Sequence, residues 1–275
     1  MNPSSITVII PTYNRAAYLK EALESVFAQT RLPDEVIVVD DASTDSTQEL
    51  LESYGNRIRV IRLEWHTGHP SVARNAALRK ASGLFVAFLD SDDRWMPAKL
   101  KSQVECMLRY PDCQLSHTYC LKIDENGRSL EVRHEGRLPP SGDYLRALVG
   151  HCVITTSTVM LRKSLLSRIG FFNEQPDYRT GEDYEFFLRA AGQTDIGLVN
   201  EVLTCYREAR TGISQEDFNW RSTPRYVRMQ RELLRRPGLW RGHVEKAEIV
   251  ASLVGNCLEN STYWRGRGRP GRAIY

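Results

Sequence analysis

Nowhere in these 275 residues is there a run of 18 uncharged apolar residues, so no transmembrane helix is expected. The start, MNPSSITVIIPTYNR, has no basic segment ahead of its short apolar run, and Pro11 closes that run. No signal peptide is expected. Cysteine is sparse, with 6 residues at 106, 113, 120, 152, 205 and 257 and no C-x-x-C pair. Pro111 interrupts any helix that could align Cys106, Cys113 and Cys120. The pattern reads as buried free thiols in a reducing, cytoplasmic compartment. G-x-S-x-G, P-loop and H-E-x-x-H strings are missing, which removes local support for serine hydrolase, P-loop NTPase and zincin chemistry. No internal repeat is present.

What is there is ordinary globular composition, 41% hydrophobic and 26% charged, in a length that suits one large domain or two small ones. Charge is unevenly spread. Residues 221–275 hold 12 Lys+Arg against 4 Asp+Glu, while the first 220 residues hold 25 against 30. A basic C-terminal appendage follows a mildly acidic body.

The first hundred residues alternate. Apolar runs at Ile6–Ile10, Glu35–Val39 and Leu84–Leu89 predict strands, and Arg57–Leu63 is read as a further one between the last two. Between them, helices are expected at Ala16–Ala28, from a Ser43 or Thr44 cap to about Tyr54, and at Ser71–Ala81 with Gly83 at its C-terminal stop. Strands apolar on both faces, separated by helices, predict a parallel sheet covered on both sides. Beyond Pro97 the pattern becomes mixed α+β. It reads as a helix Ala98–Arg109, a strand Cys113–Ile123, a turn at Asp124–Gly127 and a return strand Ser129–Arg133. A short helix Leu145–Leu148, a strand Thr155–Leu161, a helix Asp183–Ala191 and two short strands, Ile196–Val199 and Leu203–Tyr206, follow. Residues 215–275 read as helical, then Gly/Arg-rich.

Three of the early strands end in polar clusters: Pro11-Thr12-Tyr13-Asn14-Arg15, Asp40-Asp41-Ala42-Ser43 and Asp90-Ser91-Asp92-Asp93. In open α/β sheets the crevice beyond the carboxyl ends of the strands binds ligands. Carboxylates from two strand ends would repel each other there, so a cationic or donor-rich group is expected among them. Asp90-x-Asp92 offers hard oxygen ligands suited to Mg²⁺ or Mn²⁺ shared with a substrate phosphate. Arg74 lies in the third expected helix, where an arginine is either a phosphate contact or a solvated surface charge.

The ordered series VIIPTYNR, VVDDASTD, SVARNAAL, FLDSDDRWMP, STVMLRKSLLSRIGFFNE, GEDYEFFLR and the strand ending CYRE resembles the family 2 glycosyltransferases of the GT-A fold. The resemblance covers about residues 5–215. It implies a Rossmann-like, mostly parallel central sheet flanked by helices. Residues 1–105 would form the nucleotide-sugar half, 106–215 a mixed α+β acceptor half of the same domain, and 216–275 a helical basic extension. Carried over residue by residue, it implies that Pro11, Thr12, Tyr13 and Asn14, with Asp41, hold the nucleotide base. A carboxylate can accept from a uracil or thymine N3–H, and an aromatic ring can stack on the base. It implies a donor contact for Arg74, and a cofactor-binding role for Asp90 and its neighbour Ser91. Asp92, with Asp90, would bind a divalent metal, Mn²⁺ or Mg²⁺. Asp183 would be the catalytic base, with Glu182 beside it in a supporting or acceptor-binding role. The implied reaction is inverting displacement from a nucleoside-diphosphate sugar, UDP by family frequency, onto a saccharide or lipid-linked acceptor in cell-envelope, polysaccharide or glycolipid synthesis.

Departures from the family pattern refine this. Ala209 stands where relatives often carry a His after Tyr-Arg, so either Arg207 or Arg210 is expected to serve the diphosphate instead, or the metal is expected to have fewer protein ligands. The Gln-x-x-Arg-Trp string of processive members is missing, which predicts one sugar per acceptor. His66 and His69 stand where an Asn/Gly turn is usual, with no third ligand nearby for zinc. The G-x-G-x-x-G at Gly266–Gly271 follows no strand and suits a solvated tail. Tyr226–Arg236 is expected to be a basic helix, packed on the body or facing an anionic membrane surface. The alternative is a non-catalytic nucleotide- or nucleic-acid-binding module. It lacks any recognised nucleic-acid module, and the intact Asp92 and Asp183 argue against it.

Overall fold

The computed structural model describes residues 4–133, 144–150 and 152–208. The expected Tyr226–Arg236 helix, the basic extension and the positions Ala209 and Arg210 lie outside the described residues. The elements are β1 (Ile6–Thr12), α1 (Ala16–Phe27), β2 (Glu35–Asp40), α2 (Thr47–Ser53), β3 (Arg59–Arg62), α3 (Pro70–Leu78) and β4 (Phe85–Phe88). They continue with β5 (Arg94–Trp95), α4 (Lys99–Arg109), β6 (Cys113–Ile123), β7 (Ser129–Arg133), α5 (Tyr144–Gly150), β8 (Met160–Arg162), α6 (Leu166–Ile169), α7 (Glu182–Ala191) and β9 (Asp195–Arg207). None of the described helices is long and apolar enough to cross a membrane.

One sheet runs through both halves in the order β3-β2-β1-β4-β8-β6-β9-β5, with β7 paired to β6. Strands β1 to β4 are mutually parallel. β8 runs antiparallel to both β4 and β6, which leaves β6 pointing the same way as β4, and β9 follows β6 in parallel. Alternate residues of β1 face opposite layers. Ile9 packs with Ile37, Val39, Phe88, Phe186 and Phe187, whereas Val8 and Ile10 pack with Leu19, Leu23, Val26 and Val38. Both faces of β1, β2 and β4 are covered, so these strands are largely apolar, whereas β3, Arg59-Val60-Ile61-Arg62 at the end of the sheet, is mostly exposed and does not meet the expectation. Register sets the strand ends level: Thr12 pairs with Asp40, and the Leu89 N–H donates to Ile9 O at 3.0 Å. The three polar clusters therefore leave the sheet at one edge.

Four local expectations change. Helix α2 begins at Thr47, because Ser43 and Thr44 are engaged by Asn14, while Asp45 accepts the Thr47 N–H at 3.0 Å. Helix α3 stops at Leu78, so Gly83 is no helix stop. It lets β1 pass close by: a Cβ there would lie 2.5 Å from the Thr7 backbone nitrogen. The expected strand from Thr155 is only Met160–Arg162, since Thr156–Thr158 forms a 3₁₀ turn in which the Thr158 N–H and hydroxyl both return to Thr155 O. The two short strands are one, β9. The polar Asn200-Glu201 between them is a bulge, where Thr118 pairs with Val199 but Tyr119 with Val202.

A buried polar pair ties β6 to α5. His117 Nε2 lies 2.9 Å from the Tyr144 hydroxyl. Burial pushes the His117 imidazole down to about 4, against a smaller opposing effect of the Thr118 backbone. An unfolded histidine takes its proton near 6.5, the folded one only near 4, so the unfolded state binds more protons in between and stability falls with pH across that window. The loss between pH 6.5 and 4 should reach about 3 kcal/mol from this residue. Urea unfolding at pH 7.5 and 4.5 should show a smaller acid loss in His117→Gln than in wild type. An unchanged loss would place the acid sensitivity elsewhere.

Candidate active site

The loops after β1 and β2 are stitched together by Asn14. Its N–H donates to Ser43 Oγ at 2.9 Å, and its Oδ1 accepts from the Thr44 N–H at 2.7 Å. Asn14 and Ala42 both adopt positive φ, 49° and 60°. For Ala42 this conformation is uphill, and only the surrounding bonds hold it. Asp40 is buried and accepts the Ser43 N–H. Asp41 accepts from the Thr67 N–H and hydroxyl, both at 2.9 Å, from the Gly68 N–H at 3.0 Å, and faces His66 Nδ1 at 2.9 Å. The Tyr13 ring lies flat against His66, with centroids 3.6 Å apart and planes 16° off parallel. His66 thus lies between an aromatic face and a carboxylate, where β1 and β2 end. Thr12 is buried at the end of β1 and its hydroxyl has no partner among the described residues.

The acidic loop after β4 is held from below. Asp93, 1% exposed, accepts from Ser157 Oγ at 2.5 Å and from the Arg207 N–H at 2.8 Å. The same Ser157 hydroxyl accepts the Asp90 N–H at 3.0 Å. Burial, then the neighbouring Asp92 and Asp90, push the Asp93 carboxyl well above the usual range. Asp92 is half-buried and paired with Arg15 Nη1 at 3.0 Å. Burial raises its pKa against the pull of Arg15. Ser91 is buried.

Arg207 does not serve a diphosphate in this arrangement. Its side chain is enclosed, its Nε donates to Asp92 O at 2.7 Å, and its other nitrogens bind Asp124 O, Glu125 O and the Glu21 carboxylate. It braces the acidic loop against α1 and the turn before β7. The expectation that it would replace the family histidine is corrected on that ground.

Gly181, at φ 86°, turns the chain into α7 and sets Glu182 and Asp183 in its first turn. Asp183 accepts the Thr156 hydroxyl at 3.2 Å and the Tyr184 N–H at 2.7 Å. Burial raises its pKa, partly offset by Arg74. Glu182 is buried. Burial, then Asp183, push it up to about 7, although Arg74 opposes both.

Arg74 joins these parts. It is 4% exposed, with Nη2 2.7 Å from Asp90 Oδ1 and Nη1 2.8 Å from Glu182 Oε1. Burial works against its charge, but Asp90 and Glu182 outweigh that and hold it protonated. This is the cation expected among the clustered carboxylates, and Arg15 is a second. The Arg74 Nε is buried and has no partner among the described residues.

The structure thus brings together Asp90, Asp92, Arg74, Glu182 and Asp183, and places Tyr13 and Asp41 about His66 just beyond the ends of β1 and β2. Sequence reasoning missed Asp93 and Ser157 as braces, Thr156 as the partner of Asp183, and Arg15 as the partner of Asp92. The run Thr155-Thr156-Ser157-Thr158 was the available signal, four hydroxyl residues where an apolar strand was expected. His69 is a helix cap: its Nδ1 accepts the Ser71 N–H and its Nε2 meets Gln175 O. Among the described residues no three His, Cys, Asp or Glu groups converge on a metal position. Two hard carboxylates on one loop fit an ion that completes its shell with phosphate and water, and do not form an all-protein cage.

A family model described as "Glycosyl transferase family 2" matches residues 7–170. The chain is 35% identical over 235 residues to a putative teichuronic acid biosynthesis glycosyltransferase, TuaG, of Bacillus subtilis, covering 84% of this chain and 88% of that protein. It is 32% identical over 221 residues to the Escherichia coli UDP-Glc:alpha-D-GlcNAc-diphosphoundecaprenol beta-1,3-glucosyltransferase WfgD, covering 79% and 83%. Several longer relatives are matched over only about a third of their length. Among solved structures, Staphylococcus aureus TarS 1–349 in complex with UDP-GlcNAc superposes with a TM-score of 0.72 at 25% identity, over 94% of this chain and 73% of that one.

Proposed function

Since this chain belongs to the family 2 glycosyltransferases and has their GT-A fold, we propose that it moves one sugar from a UDP-sugar to an acceptor hydroxyl by direct, inverting displacement. The observation that carries the reading is Arg74, which draws the acidic loop and the Glu182-Asp183 pair to one crevice edge. In this reading Asp183 takes the proton of the attacking hydroxyl, and Glu182 with Arg74 fixes the start of α7 behind it. One base at the mouth suits a single displacement, whereas a double displacement needs a second carboxylate as nucleophile. Glu182 is buried against Arg74 and does not fill that role.

Tyr13 and Asp41 receive the base. A carboxylate acceptor favours a ring N–H, which uracil offers at N3 and cytosine does not. The Thr12 hydroxyl and Arg74 Nε, without partners among the described residues, remain as polar atoms for the donor. A divalent ion, Mn²⁺ or Mg²⁺, would be held by Asp92 with Asp90 beside it, and when bound it would neutralise the charge developing on the diphosphate. The names of the relatives, with teichuronic acid and an undecaprenol-linked saccharide among them, support a lipid-linked or polymeric cell-envelope acceptor. Residues 1–105 carry the donor side, 106–215 the acceptor side. The basic segment 221–275 suits an anionic membrane surface on the cytoplasmic side, and the lack of Gln-x-x-Arg-Trp suits transfer of one sugar per acceptor.

A thermal-shift titration of UDP, TDP and GDP with and without Mn²⁺ tests this. At about 100 times Kd, a bound nucleotide stabilises by about 2.7 kcal/mol. Asp92→Asn should melt like wild type alone but lose the Mn²⁺-dependent part of the UDP shift. No shift with any nucleotide would remove the donor reading, and an undiminished Mn²⁺ effect in Asp92→Asn would move the ion elsewhere.

A further inference from the structure

The imidazole of His66 makes the two contacts assigned above to the nucleobase. It lies flat on Tyr13 at 3.6 Å between centroids, which leaves no gap for another ring between them. Its Nδ1 stands 2.9 Å from Asp41 Oδ2. What Tyr13 and Asp41 hold between them is therefore a planar heterocycle with an N–H on its edge. We propose that His66 is a built-in occupant of the base subsite, and that the base of the donor must displace it to bind. The proposal rests on the donor reading given above and adds a regulatory element to it.

Three features make the displacement feasible. The His66 side chain is 42% exposed, so it can swing to solvent without disturbing the core. The turn that carries it is held independently of the ring: the Thr67 N–H, the Thr67 hydroxyl and the Gly68 N–H all donate to Asp41. When the imidazole leaves, those three bonds stay and keep the carboxylate oriented. What becomes free is the Oδ2 position that faced Nδ1, together with the exposed face of Tyr13. A uracil or thymine N3–H, or a guanine N1–H, can take that oxygen while its ring covers that face. Adenine and cytosine carry no proton on the corresponding ring nitrogen, so they match the imidazole less well.

Affinity for a state populated only in part is reduced by that fraction. Removing the occupant should therefore tighten nucleotide binding, the reverse of what deleting a contact residue does. Calorimetric titration of UDP in the presence of Mn²⁺ should give a Kd for His66→Ala about 3- to 10-fold lower than for wild type. His66→Phe keeps a ring for Tyr13 but has no N–H for Asp41, and should fall between the two. Free imidazole at tens of millimolar should compete with UDP for His66→Ala and restore the wild-type Kd, with little effect on wild type itself.

Weaker UDP binding by His66→Ala would make the ring a wall of the subsite and overturn the proposal. Equal binding, with imidazole inert, would overturn it as well. In both cases wild type still binds UDP, and the donor reading stands. If neither protein binds UDP, TDP or GDP, the donor reading fails and the occupant proposal falls with it.

Discussion

Asp183→Asn is expected to lower kcat by about 10²–10⁴ while leaving UDP affinity within about twofold of wild type. Asparagine preserves the size of the side chain and its ability to accept from the Tyr184 N–H and from Thr156. As the second residue of α7 it gives up only the favourable interaction of a carboxylate with the helix start, so the structural cost should stay within about 1 kcal/mol. What it cannot do is take a proton from an attacking hydroxyl. A loss confined to kcat therefore separates a base from a helix-terminal residue, which would cost stability and leave turnover near normal. The contrast with Glu182 is geometric: that carboxylate is buried against Arg74, whereas Asp183 is only half-buried. Near-normal turnover of Asp183→Asn with its true acceptor would exclude it as the base and pass the role to Glu182.

Arg74→Met should be the most destabilising single change in the site. It removes the cation from a buried group that includes Asp90 and Glu182, and breaking a buried ion pair by deleting one partner costs about 3–5 kcal/mol. For a protein of this size that is a fall in Tm of about 6–20 °C. The pH dependence adds a check. Glu182 already titrates near 7 in the folded protein, above the usual 4.5, so the folded state binds more protons between those values. Its contribution to stability therefore grows as pH falls through 7 toward 4.5. Without the arginine this slope should steepen, and Arg74→Met should lose less stability at pH 5.5 than at pH 8. Adding Glu182→Gln to Arg74→Met should recover part of the loss at pH 8, a non-additivity expected only of groups in contact. An equal penalty at both pH values would mean that packing, not charge, sets the cost.

The amino-acid sequence alone determined the parallel donor half, because β1, β2 and β4 are largely apolar on both faces and each ends in a polar cluster within a few residues of its last apolar position. The ordered motifs, from Pro11-Thr12-Tyr13-Asn14 to Glu182-Asp183, were likewise legible as local strings. The start of α2, the break before β8 and the continuity of β9 were not. Each was decided by hydrogen bonds to another segment or by pairing across the sheet: Asn14 taking Ser43 and Thr44, the Thr156–Thr158 hydroxyl turn beside Asp183 and Asp93, and β6 carrying the bulge at Asn200-Glu201.

The division is the same within the site. Composition and spacing located the carboxylates and showed that a cation must lie among them, since like charges at adjoining strand ends repel. Which cation, and with what partners, was a tertiary matter. Arg74 reaches Glu182 across 108 residues of chain, Arg207 reaches Glu21 across 186, and both outcomes depend on which side chains end up buried together. Arg207 looked as available in sequence as Arg74, but enclosure by Glu21, Asp124 and Glu125 made it a brace. Local patterning sets backbone conformation over a few residues. The charge, exposure and partners of a side chain are set by neighbours distant in sequence, and only the folded sheet edge brings those neighbours to it.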